Sequence, residues 1–135
     1  MSVPETPASE RTTCAQARAE VSWTLMEVCC GLPLEQARRL HDDALLVATE
    51  LTANAIRHAG GTTGFDAGLQ GDCLWMRVSD RSVEVPHRAP SRPSVPGGFG
   101  WMVIQRLSSH VAVEVGPHGK TITAVLDLPV HPSPA

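Results

Sequence analysis

The stretch that decides the fold is ELTANAIRHA, residues Glu50–Ala59, which is followed by Gly60 and Gly61. The stretch belongs to an apolar-periodic segment that begins near Leu34, and the two glycines indicate the end of a helix. At about 100° per residue, one face of this helix carries only small or aliphatic side chains. Those side chains are Ala44, Val47, Ala48, Leu51 and Ala55. The segment therefore predicts a long amphipathic helix with a buried apolar face.

A polar triplet lies on a different face of the same helix. Glu50, Asn54 and Arg57 follow one another at intervals of about one turn. Carboxylate and amide oxygens are ligands that Mg²⁺ prefers, and a carboxylate beside such a site can accept a proton from an attacking hydroxyl group. A solvated polar stripe on an amphipathic helix has the same pattern and is commoner. The stretch by itself leaves both interpretations open.

Composition limits the class of protein. The 135 residues are enough for one domain, and a hydrophobic fraction of 42% with 19% charged residues is typical of a soluble globular chain. A formal net charge of -3, no Lys/Arg cluster and a single lysine, Lys120, argue against a nucleic-acid binder. We find no apolar run of membrane-spanning length and no signal peptide. The spacing of the four cysteines fits neither a zinc site nor a disulfide framework, which predicts a cytoplasmic protein with free thiols.

Periodicity and turn residues give the order of elements. We expect a disordered tail over residues 1–10, one domain over 11–130 and a short C-terminal tail over 131–135. The predicted order is a helix over Arg11–Cys30, a helix over Leu34–Ala59 with a break near Leu40 left open, strands over Thr62–Leu69 and Cys73–Val78, a Pro-rich loop over Arg81–Gly98, a helix from Trp101, and strands over Val111–Val115 and Thr121–Leu128. This order predicts an α+β fold, a two-layer sandwich with helices on one face of a mixed, mainly antiparallel sheet.

Two further motifs follow the helix. Asp80 ends the second strand and offers a carboxylate acceptor for an exocyclic amine, although an Asp in a turn before Ser82 is the commoner meaning. Gly98-Phe99-Gly100 opens a helix, where backbone N–H groups and the positive end of the helix dipole favour an anion. A lone G-x-G is often only a turn. This one is neither a dinucleotide fingerprint nor a P-loop, since no third glycine and no Gly-Lys-Ser/Thr follow it at the required spacing.

The ordered combination is more specific than its parts. E-x-x-x-N-A-x-x-H-A on a helix, Asp80 after a strand, a Pro/Gly-rich loop, G-x-G opening a helix and Gly119-Lys120-Thr121 opening the last strand occur in this order. Together they resemble the GHKL (Bergerat-fold) ATP-binding domain, from about Arg18 to Pro129. Within that superfamily the chain is most similar to the stand-alone anti-sigma-factor serine kinases and their actinobacterial relatives.

The resemblance implies a set of roles, cofactors and partners. Its site residues would be Glu50 as catalytic base, Asn54 as Mg²⁺ ligand, Arg57, Gly98 and Gly100 as phosphate contacts, Asp80 as acceptor of the adenine amino group, and Thr121 as a support on the adenine side. The implied cofactors are ATP and Mg²⁺. The implied activity is a serine/threonine-protein kinase that phosphorylates an anti-sigma-factor antagonist and regulates transcription by also binding a sigma factor. A homodimer is expected from the resemblance, and neither nucleic acid nor a membrane is expected as a direct partner.

The sequence departs from the family pattern at two positions. The family's Asp-x-Gly is Asp80-Arg81-Ser82, and Trp101 stands where a small aliphatic residue usually follows the G-x-G. These departures favour a relative that acts by protein binding alone, whereas the intact Glu50 and Asn54 favour the kinase. A structural α/β domain with an incidental polar stripe is the third interpretation, and all three stay open at this point.

Overall fold

The computed structural model describes residues 12–84 and 100–129. In that part of the chain the elements are α1 (Cys14–Thr24), α2 (Met26–Cys30), α3 (Leu34–Ala59), β1 (Thr62–Gln70), β2 (Cys73–Asp80), α4 (Gly100–Leu107), β3 (His110–Gly116) and β4 (Gly119–Asp127). The predicted tails over 1–10 and 131–135, most of the predicted loop and Gly98 lie outside the described residues.

Helix α3 confirms the prediction made from its apolar face. It runs without a break over 26 residues, so the interruption left open near Leu40 does not occur. Its buried positions include all five of the expected side chains, among them Val47 and Leu51, which are fully buried. Gly60 ends the helix in the left-handed region at φ 73°, and the N–H of Gly61 donates to the carbonyl oxygen of Ala55 at 3.1 Å.

The helix predicted over Arg11–Cys30 is two helices, which corrects the sequence-based prediction. Thr13 caps α1 in a reciprocal capping box with Gln16, which fixes the start of the helix at Cys14. The break lies at Leu25, whose φ of -89° and ψ of -2° end the regular helix while its side chain stays fully buried. Hydrophobic periodicity alone did not report this break, because apolar spacing continues through Leu25.

Helix α1 lies antiparallel against α3. Near one end, the Thr52 hydroxyl donates to Cys14 Sγ at 3.1 Å. Near the other end, Ser22 Oγ lies 3.0 Å from His41 Nε2. These two contacts fix the direction of α1 along α3, and α3 in turn contacts β1, β2, β4 and α4.

The sheet has the strand order β1-β2-β4-β3, and its three described pairings are all antiparallel. Strands β2 and β4 are central, and each turns alternate side chains toward the helices. The inward side chains are Leu74, Met76, Val78 and Asp80 from β2, and Lys120, Ile122, Ala124 and Leu126 from β4. The α+β prediction with helices on one face of a mainly antiparallel sheet is confirmed.

The four cysteines are free thiols, as their spacing predicted. Within residues 12–84 and 100–129, none of the helices is both long and apolar enough to cross a membrane.

Candidate functional site

The first group of candidate residues lies where α4 begins against α3. Gly100 is the first residue of α4 and is buried. An ideal Cβ atom placed on Gly100 would collide with Glu50 Oε2 and would lie 3.5 Å from Arg57 Nη2. The absence of a side chain at Gly100 therefore lets the start of α4 reach both charged groups. We call Glu50, Asn54, Arg57 and Gly100 the helix cluster.

The helix cluster has the chemistry of an anion site beside a proton acceptor. The first N–H groups of a helix have no carbonyl partner within the helix, and its dipole is positive at that end. The start of α4 therefore faces the same space as the Arg57 guanidinium, which is exposed. Glu50 and Asn54 are half-buried, and Asn54 lies one turn from Glu50 on α3. The donors, which are Arg57 and the start of α4, suit a phosphate group. The acceptor, Glu50, suits a hydroxyl group that loses its proton to a carboxylate.

A divalent cation fits the helix cluster only when a bound molecule, such as a polyphosphate, supplies further oxygen atoms to it. Among the described residues, no group of three or more His, Cys, Asp or Glu side chains could hold a metal ion. Mg²⁺ is usually held by one or two protein ligands, by water and by the phosphates of a substrate. Asn54 with the oxygens of a bound polyphosphate is an arrangement of that kind.

The second group of candidate residues lies at the end of β2. Lys120 Nζ donates to Asp80 Oδ1 at 3.0 Å, and the two side chains are only 2% and 1% exposed. The backbone N–H of Ser82 donates to the same oxygen at 2.8 Å, which forms an Asx-turn after the strand. Lys120 Nζ also lies 3.5 Å from the carbonyl oxygen of Ser82. We call Asp80, Ser82 and Lys120 the strand cluster.

Sheet register produces the strand cluster. Asp80 and Lys120 are direct partners in the pairing of β2 with β4, so their side chains project from the same face. Close approach of the two strands is needed here, because an ideal Cβ atom on Gly119 would collide with the carbonyl oxygen of Asp80 and lie 3.0 Å from Arg81 Cα. A buried charge is tolerated when it is paired and hydrogen-bonded, as both are in this cluster.

Thr121 lies on the opposite face of the sheet from the Asp80 carboxylate. Its hydroxyl is 2.9 Å from that of Ser79, since neighbouring residues of a strand face opposite sides. The resemblance implied Thr121 as a support on the adenine side, which stays a prediction, and the side chain of β4 that reaches the Asp80 carboxylate is Lys120. Sequence reasoning missed this role for Lys120, although the only lysine of the chain occupies an inward position of β4.

An open depression of about 430 Å³ lies at this end of the sheet. Its lining includes Ser79, Asp80, Glu114, His118, Lys120 and Thr121. None of the four residues of the helix cluster lines it. Within the described residues, this depression therefore belongs to the strand cluster.

The two departures from the family pattern fit the structure without strain. Within the described residues, no residue other than glycine has a positive φ, so Ser82 adopts an ordinary backbone conformation. Trp101 is half-buried and packs against the hydrophobic core.

Comparison with known families identifies the domain. The family model of the histidine kinase-like ATPase domain matches residues 5–126. The chain belongs to this family. It is similar to the histidine kinase domain of the E. coli osmosensor EnvZ, solved by NMR, at 15% identity and a TM-score of 0.45 over 70% of each chain. No match is found among curated proteins.

Histidine kinase-like ATPase domains bind ATP, normally with Mg²⁺, and the two clusters fit this ligand unequally. The helix cluster offers an amide oxygen, a guanidinium and the start of a helix, which suit a Mg²⁺-bound triphosphate. In the strand cluster the carboxylate expected to receive the adenine amine already accepts two hydrogen bonds, from Lys120 and from Ser82. The helix cluster thus has groups that suit the phosphates of this ligand, whereas the Asp80 carboxylate already has two donors from the chain itself.

Proposed function

We propose that this chain is an ATP-binding regulatory protein that transfers a phosphoryl group to a serine of an anti-sigma-factor antagonist. The observation that carries the proposal is the approach of Gly100, at the start of α4, to Glu50 and Arg57. This approach supports the proposal, because it would put a proton acceptor beside an anion site, which is the pairing that phosphoryl transfer to a hydroxyl requires.

The residues of the helix cluster divide the work of such a transfer. Bound Mg²⁺-ATP would supply the transferred phosphoryl group. Asn54 would hold the cation through its amide oxygen, while Arg57 and the N–H groups at the start of α4 would stabilise negative charge on the phosphates. Glu50 would accept the proton of the serine hydroxyl as the serine oxygen attacks the γ-phosphorus, and the bond from that phosphorus to the bridging oxygen would break to release ADP. Phosphoryl transfer depends mainly on positioning and charge stabilisation, so this short set of groups is sufficient.

The partners belong to the proposal as well. The same domain would bind a sigma factor, and phosphorylation of the antagonist would decide which of the two proteins it holds. A homodimer acting in the cytoplasm is the proposed form. The resemblance to the anti-sigma-factor kinases supports these partners through the ELTANAIRHA stretch and the closing GKT of β4.

The kinase proposal is tested by incubating the protein with Mg²⁺, γ-labelled ATP and candidate antagonist proteins recovered by pull-down. Wild type should label a serine of its partner. Asn54→Ala should lose Mg²⁺-ATP binding, and Glu50→Gln should retain binding but lose transfer. Transfer by Glu50→Gln at the wild-type rate would refute the role of Glu50 as base, and the absence of any transfer despite partner binding would refute the kinase.

A second candidate function is regulation by protein binding alone. The buried ion pair between Lys120 and Asp80 favours it, because the carboxylate expected to recognise adenine is already paired. On this alternative, wild type and Asn54→Ala would bind the sigma factor or antagonist with equal affinity whether or not Mg²⁺-ATP is present. A change of partner affinity with Mg²⁺-ATP in wild type alone would exclude it.

A further inference from the structure

We propose that the Lys120 ammonium group occupies the carboxylate of Asp80, to which the resemblance assigns recognition of the base. The site then binds nucleoside triphosphates through their phosphates and hardly distinguishes their bases. The inference rests on the proposed function, since the helix cluster must bind the triphosphate. It adds Lys120 as the residue that determines base specificity.

The geometry places an amine on the carboxylate to which the resemblance assigns the nucleotide's amine. Asp80 Oδ1 accepts from Lys120 Nζ at 3.0 Å and from the Ser82 N–H at 2.8 Å. The ammonium group of Lys120 is thus a donor to Oδ1 of the carboxylate that an exocyclic amine would use. The Asp80 side chain is 1% exposed, so little of this carboxylate is open to an arriving base while Lys120 is in place.

The exchange of lysine for a base is unfavourable on electrostatic grounds. Hydrogen bonds with an ionised donor are about twice as strong as those between neutral groups, and the exocyclic amine of a base is neutral. Displaced Lys120 would remain in an interior where, among the described residues, Asp80 is the carboxylate within ion-pair distance. An unpaired buried charge is strongly destabilising. Adenine and guanine meet the same obstacle, because both would approach Asp80 with neutral N–H donors.

Wild-type protein gives the first test. Isothermal titration in the presence of Mg²⁺ compares ATP, GTP and inorganic tripolyphosphate, which has no base. The dissociation constants should agree within about threefold, because a base that forms no hydrogen bond with Asp80 adds little binding free energy.

Substitution of Lys120 gives the second test. Lys120→Thr removes the ammonium group and should tighten ATP binding by about tenfold, the value of roughly one hydrogen bond to a charged group. Its affinity for tripolyphosphate should not change. Lys120→Arg retains a cation beside Asp80 and is the matched control, which should show no gain for ATP. Adding Asp80→Asn to Lys120→Thr should remove the gain, because the charged acceptor is lost.

Each outcome decides either the inference or the proposed function. If wild type binds ATP more than about tenfold more tightly than both GTP and tripolyphosphate, it recognises the base while Lys120 is in place. That result overturns the inference but leaves ATP binding, and so the proposed function, standing. Wild type that binds none of the three ligands overturns the proposed function and the inference together, because both require that the triphosphate binds. If Lys120→Thr fails to fold, the wild-type comparison decides.

Discussion

Glu50 and Asp80 are two carboxylates of one small domain that are held in contrasting ways. Asp80 is buried against Lys120 and the backbone of Ser82, and its position is set by the pairing of two central strands. Glu50 is half-buried and meets the start of another helix through a glycine that lacks a side chain. The comparison teaches that the strand cluster is closed by partners within the chain, whereas the helix cluster includes side chains that are exposed or half-buried.

The largest effect is expected from breaking the ion pair of the strand cluster. Asp80→Asn leaves the Lys120 ammonium buried without a counter-charge, so the free energy of unfolding should fall by about 3–5 kcal/mol. Urea denaturation measures the change. Asp72→Asn, in the exposed turn between β1 and β2, is the control and should lie within about 0.5 kcal/mol of wild type. Equal stability of the two variants would contradict the burial of the pair.

Two glycines provide the next comparison. Gly119→Ala brings a methyl group against the backbone of Asp80 and Arg81, which cannot rotate away, so the free energy of unfolding should fall by about 1–3 kcal/mol. Gly100→Ala instead meets the flexible end of Glu50, so stability should change by less than about 1 kcal/mol.

The same pair separates stability from activity. Because the methyl group at Gly100 displaces the Glu50 carboxylate, Gly100→Ala should reduce phosphoryl transfer far more than it reduces stability, since misplacement by about 1 Å can lower a rate about a hundredfold. Thermal denaturation and the labelled-ATP assay together measure this. An equal loss of stability in both alanine variants would contradict the distinction between backbone and side-chain contacts.

A substitution in the helix cluster should affect ligand binding but not folding. Asn54→Ala removes a half-buried amide that has no hydrogen-bond partner within residues 12–84 and 100–129, and the free energy of unfolding without ligand should stay within about 0.5 kcal/mol of wild type. At a Mg²⁺-ATP concentration about tenfold above its dissociation constant, wild type should gain about 1.4 kcal/mol, and Asn54→Ala should not. Thermal shift with and without Mg²⁺-ATP measures both values, and a matching ligand-induced shift in the variant would exclude Asn54 as a ligand.

The smallest effect concerns Glu20, a half-buried carboxylate on α1. Burial, and then the nearby charge of Asp66, raise the pKa of Glu20 above its ordinary value of 4.5. Because the pKa is raised in the folded state, the contribution of Glu20 to stability is complete below the ordinary value of 4.5. It is lost as pH rises through the pKa of the folded state. Glu20→Gln should therefore gain a few tenths of a kcal/mol over wild type between about pH 4 and about pH 7. Urea denaturation at both pH values measures it; a gain that is largest at the acidic end would contradict the sign.

Much of the architecture followed from patterns that sequence reports directly. The apolar face of α3 and its terminal glycines predicted the helix over Leu34–Ala59, and alternation predicted the central strands. The break at Leu25 could not be predicted in this way. Leu25 is apolar and buried, so it fits the helical spacing although the backbone changes direction there. Periodicity reports which side chains are buried and is silent about where the backbone bends.

The candidate site shows the same division. Adjacent positions on one helix face brought Glu50, Asn54 and Arg57 together, since helical spacing is local information. The partner of Asp80 depended on which strand lies beside β2 and in which register, which is long-range information. The alternation of β4 did point Lys120 inward with Ile122, and a lone inward lysine requires a buried acceptor. The sequence-based prediction named Thr121, one residue further along, from the family resemblance and did not use that signal.

The ion pair between Asp80 and Lys120 also has a kinetic consequence. Its two residues are 40 positions apart, so the bond forms only once β4 has docked beside β2, a non-local step. Interactions absent from the folding transition state act mainly on the rate of unfolding. If the docking of β4 is late, Asp80→Asn should speed unfolding and leave the folding rate nearly unchanged in a stopped-flow experiment. The buried pair would then determine how long the folded domain persists, rather than how quickly it forms.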